Sequence, residues 1–256
     1  MARVDIGGVQ LETRLIPGDP MTPWLVFLHE GLGSVSLWRD FPDRVARRLG
    51  ARALVYSRRG YGRSDALGGP RAPDFMHREA RDMLPALLAH FQIERSILIG
   101  HSDGASIALI HAAERAHAVA AVVLMAPHVF VEPISIQSIA RVRAAYLRGD
   151  LKERLARHHD HVDDAFLGWA DIWLDGRFRD WSLASEIGHL TCPTLLIQGE
   201  NDEYGTLAQI DAIAAGAPGP VTRLVLPACG HVPQRDCPTA VLEAIVTFAA
   251  PLCPKS

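Results

Sequence analysis

Residues 96–110 read Ser96-Ile97-Leu98-Ile99-Gly100-His101-Ser102-Asp103-Gly104-Ala105-Ser106-Ile107-Ala108-Leu109-Ile110. An apolar, strand-like run leads into a G-x-S-x-G pentapeptide, and a helix-forming run follows it. The turn that this pattern predicts is so sharp that side chains two residues either side of the serine would collide, so Gly100 and Gly104 are required there. The stretch therefore predicts a nucleophile, Ser102, presented at the carboxyl end of a buried strand.

The rest of the chain repeats the alternation of short apolar runs with longer amphipathic stretches. This alternation predicts an α/β fold, with a mostly parallel central sheet and helices on both faces. Gly7-Gly8 between the first two runs predicts a hairpin. The predicted strands are 1–6, 9–16, 24–28, 53–56, 96–99, 121–125, 194–198 and 223–226, and the predicted helices include 74–90, 103–115 and 239–249.

Residues 128–190 break this alternation, because they contain no strand-like run and carry helix-like segments with Trp169, Trp173 and Trp181. We interpret this region as a helical cap inserted into one α/β core formed by 1–127 and 191–256. A length of 256 residues suits one domain with an insertion.

Composition limits the classes of partner and the location. Lys and Arg total 26 against 29 Asp and Glu, which gives a net charge of -3. We therefore expect no nucleic-acid or membrane partner, and we expect a small-molecule substrate. Four cysteines without a C-x-x-C pair fit a reducing compartment, and no apolar run is long enough to span a bilayer. We therefore expect a cytoplasmic protein. The oligomeric state is not determined by the sequence.

An acidic cluster, Gly199-Glu200-Asn201-Asp202-Glu203, follows the predicted strand 194–198. It falls at the sheet edge where ligands bind in open parallel sheets. Asp202 follows the glycine turn at the G-x-x-D spacing, so we assign it as the acid that orients a catalytic histidine. Glu200 and Glu203 are expected to be solvated side chains.

His231 lies in the loop Pro227-Ala228-Cys229-Gly230-His231-Val232-Pro233, after the last predicted strand. Such a loop can reach over the sheet toward Ser102, and the chain order is then serine, aspartate, histidine. An imidazole with an ordinary pKa of about 6.5 can take the proton of the serine hydroxyl and return it. We therefore assign Ser102 as nucleophile and His231 as general base.

The oxygen of an attacked carbonyl becomes negative and needs preorganised hydrogen-bond donors. Two backbone N–H groups are candidates for this oxyanion hole. One is that of Asp103 at the start of the helix, and the other is that of Gly31 in the loop His29-Glu30-Gly31-Leu32-Gly33-Ser34.

Five motifs occur in the order and spacing of the α/β-hydrolase superfamily, which the chain resembles over nearly its whole length. They are HEGLG at 29–33, RRGYGRS at 58–64, GHSDG at 100–104, GENDEYG at 199–205 and GHVPQRD at 230–236. The resemblance implies an α/β-hydrolase fold and a serine, histidine and aspartate triad. The first loop departs from the family in having Glu30 where a glycine is usual, which leaves Leu32 as an alternative oxyanion donor.

Within the superfamily the chain is similar to the compact-cap serine esterases of the valacyclovir hydrolase (biphenyl hydrolase-like) group. Those enzymes share the serine-aspartate-glycine turn and the Leu32-Gly33-Ser34 sequence. In them the aspartate binds a substrate ammonium group, which implies the same role for Asp103. The alternative is that Asp103 caps the helix and complements its dipole.

Other polar and aromatic residues divide into expected pocket residues and expected structural ones. His128, Trp169, Trp173 and Tyr204, together with Asp103, are candidates for substrate contact, although each aromatic ring can equally pack the cap onto the core. The segment His158-His159-Asp160-His161 does not have the H-E-x-x-H spacing, so we expect no metal there and interpret it as a solvated helix end. Arg58, Arg59 and Arg63 are expected to serve structure.

The predicted function is hydrolysis of a small carboxylic ester through an acyl-enzyme intermediate. No cofactor is expected, because neither a phosphate-binding nor a dinucleotide-binding glycine motif occurs. The same triad could instead cleave a thioester, an amide or a carbon-carbon bond, since fold does not choose between these reactions. A hydrolase-like binding protein for a small molecule is the alternative from another class.

Overall fold

The computed structural model describes residues 1–114 and 118–254, and all eight predicted strands are found in it. Several are longer than predicted by one to three residues. The strands are β1 Ala2–Ile6, β2 Val9–Ile16, β3 Trp24–Leu28, β4 Ala53–Tyr56, β5 Arg95–His101, β6 Ala118–Met125, β7 Thr194–Gly199 and β8 Val221–Leu226.

These strands form one sheet in the order β1-β2-β4-β3-β5-β6-β7-β8. The first two strands pair antiparallel around the Gly7-Gly8 turn, and β2 is also antiparallel to β4. Every later pair is parallel, so the carboxyl ends of β3 to β8 meet at one edge of the sheet. The predicted fold class is confirmed.

Helices cover both faces of this sheet. Within the described residues they are α1 Phe41–Leu49, α2 Phe75–Arg78, α3 Leu84–His90, α4 Asp103–Glu114, α5 Pro133–Arg148, α6 Leu151–Ala156, α7 Val162–Leu174, α8 Ala184–Ile187, α9 Ala208–Gly216, α10 Pro233–Asp236 and α11 Pro238–Ala249. None of them is both long and apolar enough to cross a membrane.

Side chains that alternate along β3 divide the core into two layers. Val26 and Leu28 point into one apolar cluster, and Leu25 and Phe27 point into the other, all with no exposed surface. A strand covered on both faces is apolar at every position rather than at every second one. The run of five apolar residues in β3 therefore marks a strand at the centre of the sheet.

Two of the predicted helices differ from the expectation. The helix expected over 74–90 is α2 and α3 joined by a π-helical turn, Glu79–Met83, and Pro85 lies in the first turn of α3. The helix expected over 103–115 begins at Asp103 and ends at Glu114, and Arg115 lies outside the described residues.

The region between β6 and β7 is helical, as expected, and contains α5 to α8. Its two ends are joined, because Phe130 and Ser182 form an isolated antiparallel bridge and the Leu183 N–H donates to the Val129 carbonyl at 2.7 Å. The helices thus leave the sheet and return to it at nearly the same place.

The turn from β5 into α4 lies against the end of β3 with no room for a side chain at Gly104. A Cβ atom built there would lie 2.1 Å from the Leu28 carbonyl oxygen, and one on Gly100 would lie 2.4 Å from the Gly104 oxygen. Both contacts are with backbone atoms, which cannot move aside without displacing a strand or a helix. The two glycines of the motif are therefore a packing requirement.

We expect Gly104→Ala to lower the free energy of unfolding by about 3 kcal/mol, because the methyl group forces α4 away from β3. Urea denaturation followed by circular dichroism measures this difference. Gly176→Ala is the matched control, since a Cβ there meets nothing within 4 Å, and it should change stability by no more than about 0.5 kcal/mol. Equal effects of the two variants would contradict the packing argument.

Candidate active site

Ser102 sits in the tight turn between β5 and α4 with a φ angle of +53°, in the left-handed region that residues other than glycine rarely adopt. The conformation is held by backbone hydrogen bonds on both sides. The Ser102 N–H donates to the Met125 carbonyl at 2.9 Å, and the Ser102 carbonyl accepts from the Ala105 N–H at 2.8 Å. Strain of this kind persists only where the surroundings impose it, and it is common at functional sites.

The structure brings the three residues of the predicted triad together from three separate parts of the chain. His231 Nε2 lies 3.0 Å from Ser102 Oγ, and His231 Nδ1 lies 2.9 and 2.8 Å from the two carboxylate oxygens of Asp202. A carboxylate only accepts hydrogen bonds, so the proton of a neutral His231 resides on Nδ1. Nε2 is then free to accept the proton of the Ser102 hydroxyl.

The Asp202 carboxylate is fixed by three donors besides His231. Oδ1 accepts from the backbone N–H groups of Tyr204 at 2.7 Å and Gly205 at 3.1 Å, and Oδ2 accepts from Gln198 Nε2 at 2.7 Å. Burial raises the pKa of Asp202, but His231 and, more weakly, the Tyr204 N–H more than offset it, so the pKa lies below the usual value. Asp202 is therefore ionised whenever His231 can act as a base.

His231 is held through its backbone as well as its ring. The His231 N–H donates to Glu203 Oε2 at 3.2 Å, and the His231 carbonyl accepts from His101 Nε2 at 2.7 Å. Burial lowers the pKa of His231, whereas Asp202 and, more weakly, Glu203 and Glu30 raise it, and the pKa ends above its ordinary value. The sequence predicted Glu203 only as a solvated side chain. Its contact with the His231 N–H was missed, because a bond from a side chain to a backbone group has no sequence motif.

A cavity of about 250 Å³ opens onto Ser102 and His231. All five candidates for substrate contact line it, namely Asp103, His128, Trp169, Trp173 and Tyr204. Glu30, Gly31, Leu32, Ile139, Glu203, Val232 and Arg235 complete the lining. Trp181 is not part of it and stacks instead on Phe178, with 5.1 Å between ring centroids.

Gly31 and Asp103, the two candidate oxyanion donors, border this cavity beside Ser102. Asp103 is the first residue of α4, where backbone N–H groups have no partner within the helix. Leu32, the alternative donor, also lines the cavity. The Leu32 carbonyl accepts from His159 Nε2 at 3.0 Å, so this loop is tied to the helical region between β6 and β7.

Arg58 is the residue that most directly fixes the loop carrying Gly31. Its guanidinium donates to the carbonyls of His29 and, at 3.0 Å, Glu30, and only 1% of its surface is exposed. Burial lowers the pKa of Arg58, but Tyr61, Asp103 and Glu79 nearby raise it above the usual value. Arg58 was predicted to serve structure, but its burial against the Gly31 loop was not predicted, because an arginine in a glycine-rich loop normally points to solvent.

Asp103 is completely buried, and its carboxylate has partners within the protein. Oδ1 accepts from Trp173 Nε1 at 3.2 Å, while Oδ2 has no hydrogen-bond partner among the described residues. Burial raises the pKa of Asp103, and the positive charges of Arg58 and Arg71 oppose that rise without cancelling it. Within the described residues no backbone N–H donates to this carboxylate, so Asp103 does not cap α4 through a hydrogen bond, although its charge lies at the positive end of the helix dipole.

His128 lies beside His231, with 5.6 Å between ring centroids, and packs edge to face on Trp173 at 4.9 Å. Burial, together with the charge of a protonated His231, lowers the pKa of His128 to about 3. His128 is therefore neutral at physiological pH and places no second positive charge beside His231.

The interpretation of residues 158–161 as a solvated helix end was wrong for His159, which is 2% exposed. Its Nδ1 accepts from the Gly62 N–H at 2.9 Å while its Nε2 donates to the Leu32 carbonyl. His158 bonds Ser36 Oγ at 2.9 Å, and Asp160 pairs with Arg63. The segment ties the helical region between β6 and β7 to the loops after β3 and β4. Burial lowers the pKa of His159 to about 4, so its ring remains neutral.

The fold and this site define the chain as an α/β hydrolase. A model of the alpha/beta hydrolase family matches residues 25–244, and the chain belongs to that family. The chain is therefore a hydrolytic enzyme.

Among curated proteins the chain is similar to the sn-1-specific diacylglycerol lipase ABHD11 of Mus musculus. The two are 25% identical over an alignment 278 positions long, and the alignment covers 96% of this chain and 87% of that protein.

Solved structures share the fold at lower identity. The enol-lactonase from Burkholderia xenovorans LB400 is 22% identical with a TM-score of 0.75, covering 96% of this chain and 98% of that one. A thermophilic esterase from Thermogutta terrifontis is 20% identical with a TM-score of 0.75, covering 99% and 100%.

We expect Arg58→Met to lower the free energy of unfolding by about 3–5 kcal/mol, because it leaves buried carbonyls and carboxylates without their compensating charge. Urea denaturation measures the loss. Arg59→Met is the control at the adjacent, exposed position and should lie within about 0.5 kcal/mol of the unmodified protein. A loss at Arg58 no larger than at Arg59 would show that the buried guanidinium is not needed.

Proposed function

We propose that this protein is a serine hydrolase that cleaves a small carboxylic ester, with Ser102 as nucleophile, His231 as general base and Asp202 as the orienting acid. The observation that carries the proposal is the continuous chain of hydrogen bonds from Ser102 Oγ through His231 to Asp202, at 3.0 Å and 2.8 Å. A serine hydroxyl is a weak nucleophile at neutral pH, and an adjacent oriented base is what activates it.

In the first half of the reaction, Ser102 Oγ attacks the ester carbonyl carbon as its proton passes to His231 Nε2. The carbonyl oxygen becomes negative and is stabilised by the backbone N–H groups of Gly31 and Asp103. The carbon-oxygen bond to the alcohol then breaks, and His231 gives its proton to the leaving oxygen. An acyl group remains on Ser102.

Water completes the cycle. His231 takes a proton from the water molecule, the resulting hydroxide attacks the acyl carbonyl, and Ser102 leaves with the proton that His231 returns. Asp202 remains ionised throughout, and its charge stabilises the transient imidazolium of His231. No group beyond the protein and water is required.

The size and walls of the cavity favour a compact substrate. Its volume of about 250 Å³ is below the usual range of about 300–1,000 Å³ for ligand pockets. We propose that 128–190 act as a cap over a core formed by 1–127 and 191–256, because Trp169 and Trp173 of α7 form one wall of this cavity. A small acyl group fits this space better than a long chain does.

An ester is favoured because the relatives named as a lipase and an esterase act on esters. In other enzymes the same three residues cleave thioesters, amides and carbon-carbon bonds. A panel of p-nitrophenyl esters, run beside a thioester and an anilide, distinguishes ester, thioester and amide hydrolysis.

We expect a fluorophosphonate probe to label the wild-type protein once, and Ser102→Ala to abolish both the labelling and the hydrolysis of p-nitrophenyl acetate. The reason is that Ser102 Oγ is the atom that bonds to phosphorus and to the acyl carbon. Intact mass measures the label, and release of p-nitrophenol measures turnover.

Ser106→Ala is the matched control, because Ser106 is a buried serine one turn further along α4 whose hydroxyl contacts the His128 carbonyl rather than His231. It should keep both labelling and turnover. A folded wild-type protein that neither labels nor turns over any ester would contradict the serine-hydrolase proposal and favour a binding protein.

The pH dependence of kcat/KM should rise through the pKa of His231, because only the neutral imidazole can accept the serine proton. Asp202 raises that pKa. Asp202→Asn should therefore move the acidic limb of the profile to lower pH and reduce kcat by about 10⁴-fold. Glu200→Gln, an exposed neighbour, is the control and should leave the profile unchanged. A limb that stays in place in Asp202→Asn would contradict the assignment of the acid.

A narrower candidate function is hydrolysis of amino-acid esters, as in the valacyclovir hydrolase group. The observation that favours it is that Asp103 lines the cavity and that its buried Oδ2 finds no hydrogen-bond partner in the part of the chain that the structure describes. The charges of Arg58 and Arg71 weigh against it, because they already compensate part of the Asp103 charge.

The p-nitrophenyl esters of alanine and propionate differ only in an ammonium group, so their ratio of kcat/KM isolates its contribution. If Asp103 binds that group, Asp103→Asn should lower the ratio by about tenfold or more, while propionate hydrolysis is preserved. An unchanged ratio would leave Asp103 with a structural role alone.

A further inference from the structure

Two tryptophans one helical turn apart on α7 use their indole N–H groups differently. Trp173 Nε1 donates to Asp103 Oδ1 at 3.2 Å. Trp169 is also almost fully buried, at 7% exposed, yet its Nε1 has no hydrogen-bond partner anywhere in residues 1–114 and 118–254. An indole nitrogen can only donate, so the Trp169 N–H is available to an acceptor that enters the cavity.

The edge of Trp169 that carries this nitrogen lies against the loop of the candidate oxyanion hole. A Cβ atom built on Gly31 would lie 2.2 Å from Trp169 Nε1 and 2.3 Å from Cδ1. Only a glycine at position 31 leaves room for the indole to approach so closely. The nitrogen edge of the ring, rather than its benzene edge, therefore faces Gly31.

Trp169, Gly31 and Ser102 line the same cavity, and the nitrogen edge of the indole lies against the Gly31 loop within it. The ring is held in this position by neighbouring aromatic side chains. Phe166 packs edge to face on it with 6.0 Å between centroids, and Tyr204 lies at 6.4 Å. A donor fixed in this way loses little freedom when it binds an acceptor.

We propose that the Trp169 indole N–H is a third oxyanion donor, which bonds the carbonyl oxygen that Ser102 attacks, beside the backbone N–H groups of Gly31 and Asp103. This inference rests on the proposed function, because it requires a carbonyl group at Ser102. The oxygen gains negative charge as the attack proceeds, so the bond is stronger in the transition state than in the bound substrate.

The proposal gives the cap region a chemical role in addition to shaping the cavity. Trp169 belongs to α7, whereas the two backbone donors belong to the loop after β3 and to the start of α4. The complete set of donors therefore exists only when α7 lies against the Gly31 loop.

The kinetic test is Trp169→Phe, which removes the N–H group but keeps an aromatic ring in the wall of the cavity. We expect kcat for p-nitrophenyl acetate to fall by about 10²-fold, with KM nearly unchanged, because the lost bond forms mainly in the transition state. Trp181→Phe is the matched control, since Trp181 lies outside the cavity, and it should retain the wild-type kcat.

A spectroscopic test needs no turnover. The chain contains five tryptophans, so its indole N–H groups give five signals in a ¹H–¹⁵N spectrum, which single Trp→Phe variants assign. Phosphonylation of Ser102 places a phosphoryl oxygen where the oxyanion forms. We expect the Trp169 indole proton to move downfield on labelling, as hydrogen-bonded protons do, and the Trp181 proton to stay in place.

The outcomes separate this inference from the proposed function. If the wild-type protein labels and turns over but Trp169→Phe retains kcat, or if the Trp169 indole signal does not respond to labelling, the third donor is overturned and the serine-hydrolase proposal stands. If the folded wild-type protein does not label at all, the proposed function fails, and this inference fails with it. A raised KM with unchanged kcat would also overturn it, because that result describes packing against the substrate.

Discussion

The close approach of α4 to the end of β3 is the constraint on which the rest of the site depends. It requires glycine at positions 100 and 104, and it forces Ser102 into a left-handed conformation with a φ of +53°. Because the helix starts immediately at Asp103, the backbone N–H of that residue follows the serine directly in the turn. One backbone arrangement thus supplies both the candidate nucleophile and one candidate oxyanion donor.

Placing three polar side chains of the candidate triad in the interior requires that each be compensated. The Asp202 carboxylate receives the Gln198 amide and two backbone N–H groups, and His231 is bonded through its ring and through both of its backbone polar groups. Fixed dipoles of this kind need not reorganise when charge moves between the serine and the histidine, which is how a preorganised site lowers a barrier. The same contacts leave the imidazole little freedom to rotate away from Ser102.

A second layer of buried charge lies behind the candidate oxyanion loop. Arg58 holds the carbonyls of His29 and Glu30 and balances the carboxylates of Asp103 and Glu79, while Tyr56 donates to Glu79 at 3.0 Å. A buried cation is costly unless hydrogen bonds and opposite charges surround it. Here those bonds fall on the loop that carries Gly31, so the compensation of Arg58 also rigidifies the site.

The sequence by itself determined the fold class, the strands and the residues of the candidate triad. These features are set by local patterns, such as apolar runs bounded by glycine, the G-x-S-x-G turn and the G-x-x-D and G-H loops that follow strands. Contacts that join distant parts of the chain leave no such pattern. Only the tertiary structure therefore decided three features: the packing of Trp169 against Gly31, the burial of Arg58 and the bonds of His159 to Gly62 and Leu32. Each depends on how the helices between β6 and β7, or the loops after β3 and β4, lie in space.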